Sequence, residues 1–380
     1  MNIAINCAFY QPLGGGIKEY IYNLTHNLSK LDKNNNYILY VLEDQWEYAK
    51  KGLPTNFKIK KIPFKSRNTL DKIRRSLLEQ KFWLNEEKNE KFDIFHSPFF
   101  YSPKLKRARI LLTVHDLRLY RFPRTYSPLR YIFLNRKVKS SLRNADHIIS
   151  ISHFTKKEIT DLCGVDPSKV TVIPEAINRK MFSTPNESLV KDIPEVIKTS
   201  PFLLTVGHLE PRKNYNTLIK VFAELRKKPE HKNLQLVIVG KKGHQYQKTL
   251  KLIKNTEGVH YLNFVSHETL KWLYHNTKLF VFPSIYEGFG FPPLEAASFG
   301  SVSAVSKISS IPEVCGDAVF YFDPYNWEDI YDVIDKIVKN ETLLNSKKEL
   351  LEPQLNKFSW EQNASETINV YKLLNRIQGI

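Results

Sequence analysis

Cysteine is scarce in this chain: Cys7, Cys163 and Cys315 are spread over 380 residues. None of them forms a C-x-x-C pair. That excludes a disulfide framework and a cysteine-based zinc site, and points to a reducing compartment. D-x-D, H-E-x-x-H, G-x-S-x-G and the lysine-bearing phosphate loop are missing too, so the usual metalloprotease, serine-hydrolase and P-loop chemistries lack their residues. No apolar run approaches the roughly 18 residues that span a bilayer, and Met1 to Cys7 hold no basic leader. The expectation is a soluble or peripherally attached cytoplasmic protein. Repeats and low-complexity runs are absent apart from a small Lys/Asn bias around Asp32–Asn36. Acids are short as well: 39 Asp and Glu against 57 Lys and Arg leave a net charge of +18. A charge of that size implies an anionic partner: nucleic acid, a phosphorylated substrate or an anionic membrane.

What is present is alternation. The length is enough for two domains with real cores. Short apolar strands are predicted at Asn2–Asn6, Tyr37–Leu42, Phe57–Ile62, Asp93–His96, Ile110–Val114, His147–Ile151 and Val170–Ile173. Helical spacing intervenes, in Ile17, Tyr20, Ile21, Leu24, Leu28 and Leu31, in Leu70–Trp83 and in Leu129–Leu142. The pattern starts afresh near Pro201, with strands at Phe202–Val206, Gln235–Val239, Val259–Phe264 and Leu279–Phe282 and helices at Asn214–Lys227, Tyr246–Lys254 and His267–His275. Strands alternating with helices indicate an α/β protein with parallel, doubly wound sheets. The polar, proline-punctuated stretch 178–199 reads as the linker between a domain at 1–178 and one at 200–357, with a last helix within Phe358–Asn375.

The segment Ser284-Ile-Tyr-Glu-Gly-Phe-Gly-Phe-Pro-Pro-Leu-Glu-Ala-Ala-Ser-Phe-Gly300 carries the most chemistry. Gly288 and Gly290 free the backbone for a tight loop after a buried strand. Pro292 and Pro293 suit a helix start and Gly300 its stop. Glu287 therefore lies at the carboxyl end of a strand and Glu295 near the start of the next helix, in the crevice where open α/β sheets bind ligands. Carboxylates that accept hydrogen bonds suit the hydroxyls of a sugar or ribose. A helix-dipole acid and a solvated loop acid are the blander reading.

In Thr205-Val-Gly-His-Leu-Glu-Pro-Arg-Lys-Asn214, Arg212 and Lys213 adjoin at another strand-to-helix junction, where a forked and a point cation suit a diphosphate. Gly14-Gly15-Gly16 precede a helix N-terminus that suits a phosphate or is a plain turn. His115, at the end of a strand, suits contact with a substrate hydroxyl or proton transfer, or is structural, and Asp116 beside it suits a helix cap. His96-Ser97-Pro98 is a similar, weaker strand end. Leu117 to Arg143 holds eight basic residues, no acid and interleaved Tyr120, Phe122, Tyr126, Tyr131 and Phe133; Arg74 and Arg75 share a helix with Ile73, Leu77, Leu78 and Trp83. This pattern suits an anionic membrane surface, RNA or a solvated face.

Taken together, Gly14–Gly16, His115-Asp116, Gly207 with Arg212-Lys213-Asn214, Glu287-Gly-Phe-Gly to Glu295, Ser309-Ser-Ile-Pro-Glu-Val-Cys-Gly-Asp317 and Phe358-Ser-Trp360 resemble, in order and spacing, the retaining glycosyltransferases of family 4. The resemblance covers nearly the whole chain. It implies the GT-B fold: two Rossmann-like domains facing across a cleft, an acceptor-side domain at 1–178, a donor domain at 200–357, and a last helix at about 362–380 crossing back. It implies that Glu287, with the backbone of Gly288, Phe289 and Gly290, holds the hydroxyls of the donor hexose, and that Glu295, with Leu294 beside it, holds the donor ribose. Arg212 and Lys213, next to Gly207, would neutralise the diphosphate; Gly15 and Gly16 would approach it; His115 and Asp116 would meet the transferred sugar. One departure is Ile17-Lys18-Glu19 where the family often has Val-Glu after the glycines.

The activity implied is metal-independent, cofactor-free, retaining transfer from a nucleotide-diphosphate sugar. Phe289-Gly-Phe-Pro-Pro resembles mannosyl- and rhamnosyl-type members that build bacterial surface polysaccharide such as O-antigen, so GDP-mannose is the donor expected. The acceptor expected is a glycan, lipid-linked at the inner membrane face. A sugar-nucleotide epimerase of the same fold, an idle sugar-nucleotide binding module and an RNA-binding protein are the alternatives; the last lacks an RNP or KH signature.

Overall fold

The computed structural model describes residues 1–12, 15–177 and 184–377. Gly14 and the first part of the stretch read as linker lie outside the described residues. The chain divides into two compact units, Met1–Ala176 with Ser359–Ile380, and Ile177–Phe358.

In the first unit β1 (Asn2–Asn6), β2 (Asn36–Leu42), β3 (Lys58–Ile62), β4 (Ile94–Ser97), β5 (Arg109–Val114), β6 (His147–Ser150) and β7 (Val170–Val172) form one parallel sheet in the order β3-β2-β1-β4-β5-β6-β7. The order reverses between β1 and β4, and the ends of those strands form the crevice of a doubly wound fold. The helix Gly15–Leu31 follows β1 directly. The last helix, Trp360–Ile377, packs against it. Two bonds fix that helix to the sheet's carboxyl ends: Asn363 Nδ2 donates to the Pro174 carbonyl at 2.7 Å, and Tyr371 Oη lies 2.7 Å from His96 Nδ1.

In the second unit β8 (Phe202–Val206), β9 (Gln235–Val239), β10 (Val259–Leu262), β11 (Leu279–Phe282), β12 (Ser303–Ser306) and β13 (Phe320–Phe322) form a parallel sheet in the order β10-β9-β8-β11-β12-β13. Its switch point lies between β8 and β11. The central strands β8, β9 and β11 are apolar without alternation because both faces are covered. Leu203, Leu236, Ile238, Leu279 and Val281 pack into one core cluster, and Phe202, Leu204, Val237, Phe280 and Phe282 into another. Ile193 and Ile197, in the stretch read as linker, are buried in the second cluster, and the backbone N–H of Lys191 donates to Thr269 Oγ1 at 3.2 Å. From residue 184 that stretch is therefore part of the second unit's packing.

β12 and β13 have no counterpart in the sequence reading. Residues 301–306 are Ser-Val-Ser-Ala-Val-Ser, too small and polar to register as an apolar run, and β13 has three residues. Neighbouring strands supply the burial that their composition does not advertise.

Candidate active site

The second unit gathers its charged residues at the switch point. Strand β8 ends at Val206, and the chain runs through Gly207 to a single turn, Pro211–Lys213, and then the helix Tyr215–Leu225. Gly207 has φ +150°, and a Cβ there would meet the stem of Lys213 at 3.1 Å and the Tyr215 hydroxyl at 2.9 Å. Glycine thus leaves the space the lysine occupies. Strand β11 ends at Phe282, and Ser284 to Gly290 loop into the helix Phe291–Ser298, which has proline in its first turn and Gly290 at φ +107° as its cap. A backbone bond from Ile285 N to the Arg212 carbonyl, 2.8 Å, ties the two loops together.

Three groups converge on Glu287 Oε1: Lys213 Nζ at 2.6 Å, Arg212 Nη1 at 2.9 Å and Ser284 Oγ at 2.6 Å. Oε2 has no hydrogen-bond partner among the described residues. Arg212 Nε donates to Glu210 Oε2 at 2.9 Å, and Lys213 Nζ sits 4.7 Å from the centre of the Phe282 ring. Burial pushes the Glu287 carboxyl up, but the charges of Arg212 and Lys213, with the bonds from Lys213 and Ser284, outweigh it and hold the group down at about 2. The opposite holds for Lys213: burial, at 5% exposure, pushes its ammonium down and Glu287 opposes this in part. The sequence offered Arg212 and Lys213 as two spare cations; the folded chain balances them against Glu287 and Glu210.

The loop itself is pinned from the far side. Ser310 Oγ lies 2.9 Å from the Glu287 carbonyl and 2.8 Å from that of Phe289, and Glu287 N donates to Ser309 Oγ at 3.3 Å. The Phe289 ring is buried against Phe291 and Phe358. Leu294 is buried at 2% exposure. Glu295 Oε2 accepts from Tyr274 Oη at 2.7 Å, and burial raises its carboxyl against that bond.

The first unit places Gly15 and Gly16 exposed at the N-terminus of the helix Gly15–Leu31, with open space where a Cβ would stand. His115 follows β5. Its Nδ1 is 2.8 Å from Glu175 Oε1 and its Nε2 3.2 Å from the Pro98 carbonyl, with the Tyr20 ring edge-on at 4.9 Å. Asp116 Oδ1 accepts the N–H of Arg118 at 3.0 Å, a local turn one residue ahead of the cap position, which is Leu117 and has no side-chain cap bond. His96 is buried between hydroxyls, Tyr371 Oη on one side and Thr113 Oγ1 at 2.8 Å on the other; burial holds its ring neutral, down to about 3. Among the described residues no three His, Cys, Asp or Glu side chains are grouped as metal ligands would be.

Residues 14–180 match the family described as Glycosyltransferase Family 4, and residues 189–352 match Glycosyl transferases group 1. O-antigen chain mannosyltransferase B of Escherichia coli is 31% identical over 286 residues, covering 74% of each chain. The chain belongs to the group 1, family 4 glycosyltransferases.

Solved structures agree on the fold of this glycosyltransferase. Sucrose-phosphate synthase of Thermosynechococcus elongatus matches with a TM-score of 0.75 at 16% identity, over 99% of this chain and 100% of that one. Anabaena Alr3699/HepE, solved with UDP-glucose, matches with a TM-score of 0.70 at 15% identity, over 98% and 99%. The fold is the two-domain α/β GT-B architecture. Sequence reasoning gave no role to Ser284 and Glu210, which lie inside the motifs it found, to Tyr274 on the preceding helix, or to Glu175, which lies 60 positions from His115. Ser309 and Ser310 were quoted only as part of a resemblance; their bonds to the Glu287 loop give that motif a task.

Proposed function

We propose that this glycosyltransferase is a retaining, metal-independent hexosyltransferase that moves mannose from a nucleotide-diphosphate sugar to a lipid-linked glycan during surface polysaccharide synthesis. The observation that carries the reading is the cluster of Arg212, Lys213, Ser284 and Glu287 at the switch point of the second sheet, within the residues that match the group 1 family. The mannose assignment leans on the name of the Escherichia coli relative, and the nucleotide donor on the UDP-glucose bound to the Anabaena protein.

In this reading Glu287 Oε2 and the backbone of Gly288, Phe289 and Gly290 take the sugar hydroxyls. Glu295 takes the ribose. Arg212 and Lys213, held in place by Glu287, meet the diphosphate as its charge grows, which is where fixed cations lower a barrier most. The departing phosphate oxygen takes the acceptor's proton on the same face of the sugar, so neither a paired carboxylate nucleophile nor a separate acid is required. Protein cations then supply the charge that a metal ion would otherwise bring.

The acceptor side faces lipid. Leu129, Ile132 and Phe133 on the helix Pro128–Asn144 are 82%, 47% and 54% exposed, and Leu77 and Leu78 on the helix Thr69–Glu90 are 75% and 44% exposed. Lys137 and Glu79, 3.9 Å apart, join the two helices. Arg124, Arg130 and Arg136, in and just before the helix Pro128–Asn144, are exposed as well. Apolar residues together with cations suit the headgroup region of an anionic bilayer. No helix among the described residues is long and apolar enough to cross one.

A thermal-shift screen of nucleotide sugars tests the donor, since a ligand of the native state stabilises by mass action. GDP-mannose is expected to raise the Tm most. Transfer to a glycan acceptor should give an α-product by NMR from the α-linked donor and persist in EDTA. An inverted anomer, or turnover lost in EDTA and restored by magnesium, overturns the mechanism.

A further inference from the structure

We propose that Glu175 holds His115 as an imidazolium cation, so that in the transfer reaction His115 acts as a fixed N–H donor and positive charge and never as the base that takes the acceptor's proton. The role of the cation rests on the function proposed above; its existence rests on geometry alone.

His115 has an acceptor at each ring nitrogen: a carboxylate oxygen of Glu175 at 2.8 Å from Nδ1, and the Pro98 carbonyl at 3.2 Å from Nε2. A carbonyl never donates, and neither does an ionised carboxylate. A neutral imidazole carries one N–H, so it would set its lone pair against one of these oxygens. The doubly protonated ring satisfies both. His96 on the adjacent strand is the internal control. Its two neighbours, Tyr371 Oη and Thr113 Oγ1, are hydroxyls that donate or accept as needed, and it stays neutral.

The one competing arrangement has the proton on Glu175, which would then donate to Nδ1 of a neutral ring. Ordinary proton affinities oppose it, since imidazole holds a proton more firmly than a carboxylate by roughly 2 pH units. The surroundings oppose it as well. Asp116 adds a second negative charge beside the ring, while the neutral His96 and the edge of Tyr20 add no charge. Burial works against the cation, and Glu175, the bond to Pro98 and Asp116 raise it above the ordinary histidine range. Glu175 itself is 2% exposed, a position where a carboxylate needs a partner of opposite charge.

The pair is braced from behind. Glu175 follows Pro174, whose carbonyl accepts from Asn363 Nδ2 at 2.7 Å, and Asn363 is on the last helix, the one that also supplies Tyr371 to His96. Glu175 is thus a positioning residue that acts through His115. A ring already carrying both protons cannot accept another, so the acceptor's proton must go elsewhere, which agrees with its transfer to the leaving phosphate.

The test is histidine-selective ¹⁵N NMR of the full chain, with His115 assigned from a His115→Gln spectrum. At pH 7.5 both ring nitrogens of His115 should show the protonated pattern and His96 that of a single neutral tautomer. In Glu175→Gln, His115 should titrate lower by roughly one to three pH units. The alkaline limb of kcat should move down with it, because activity that needs the cation is lost as pH rises through the histidine's own titration. Glu175→Asp should restore part of both shifts. A wild-type His115 with one bare nitrogen at pH 7.5 overturns the proposal without any variant having to fold. An unmoved kcat profile in Glu175→Gln, with the NMR shift present, overturns the catalytic role of the cation while the pairing stands. Absence of any transferase activity would count against the proposed function alone.

Discussion

The two units place ion pairs at the carboxyl ends of their strands with the roles of the charges exchanged. In the second unit two cations and a hydroxyl close around one carboxylate, Glu287, and hold it ionised down to about 2. In the first unit one buried carboxylate, Glu175, holds one histidine charged. The second arrangement offers strong cations at a fixed place, suited to a group that leaves with full negative charge. The first offers a weaker charge tied to a titratable ring, suited to touching a sugar. In the proposed reaction the diphosphate would therefore meet the second unit, and the sensitivity to alkaline pH would come from the first.

Removing the cations should break the comparison most severely. Arg212→Ala and Lys213→Ala should each lower kcat by about 10²–10³-fold, the loss usual for a group that stabilises transition-state charge. Steady-state kinetics that change only KM would show instead that the cations bind ground state and transition state alike.

The carboxylate at the centre of the cluster gives the next largest effect, on stability. Glu287 titrates at about 2 in the folded chain against an ordinary value of 4.5. Its contribution is therefore complete above about pH 4.5 and lost as pH falls toward 2, amounting to about 3 kcal/mol. Urea melts at pH 7 and pH 3 should show more than half of this loss in wild type, and Glu287→Gln should have a flatter acid limb. An equally steep limb in the variant would place the acid sensitivity in other residues.

Glu295→Ala should raise the donor KM by a factor equivalent to about 1–3 kcal/mol with little change in kcat, because a ribose contact is the same before and during bond breaking. Kinetics at saturating acceptor distinguish this from a mutant whose KM is unchanged, which would leave Glu295 without a donor contact.

The smallest expected effect per residue lies on the first unit's helices proposed to meet lipid, about 1 kcal/mol for each Arg near an anionic surface. Replacing Arg124, Arg130 and Arg136 by Gln should reduce co-sedimentation with anionic liposomes and spare donor binding. Binding should also fall as salt rises. Arg121, in the same basic run, is a poor choice for this test: its Nε lies 2.5 Å from the buried Glu158, and its loss would leave that carboxylate short of a partner. A protein that ignores anionic vesicles at low salt would return the segment to an ordinary solvated face.

Legibility followed the same divide. Most strands show as apolar runs because both faces of each sheet are covered, and the helices show their 3.6 period. The second unit's cluster was readable because Arg212 and Lys213 adjoin and Glu287 stands among glycines and prolines that force a loop. That those charges balance one another was not readable, since it depends on β8 and β11 being neighbours although β9 and β10 come between them in the chain, with Arg212 and Glu287 75 positions apart. Glu175 carries no local mark at all. It sits after a three-residue strand in an unremarkable Ile-Pro-Glu, and only the order of the sheet brings it to His115. Patterns of local spacing report elements; the pairing of charges is a property of topology.

The central claim, that Arg212 and Lys213 receive the leaving diphosphate, is tested most directly by calorimetric titration with the nucleoside diphosphate alone, which carries the charge of the departed group. GDP should bind wild-type protein and lose at least about tenfold in affinity, about 1.4 kcal/mol, in Arg212→Ala. Equal affinity in the two proteins would contradict the account and move the diphosphate away from this cluster.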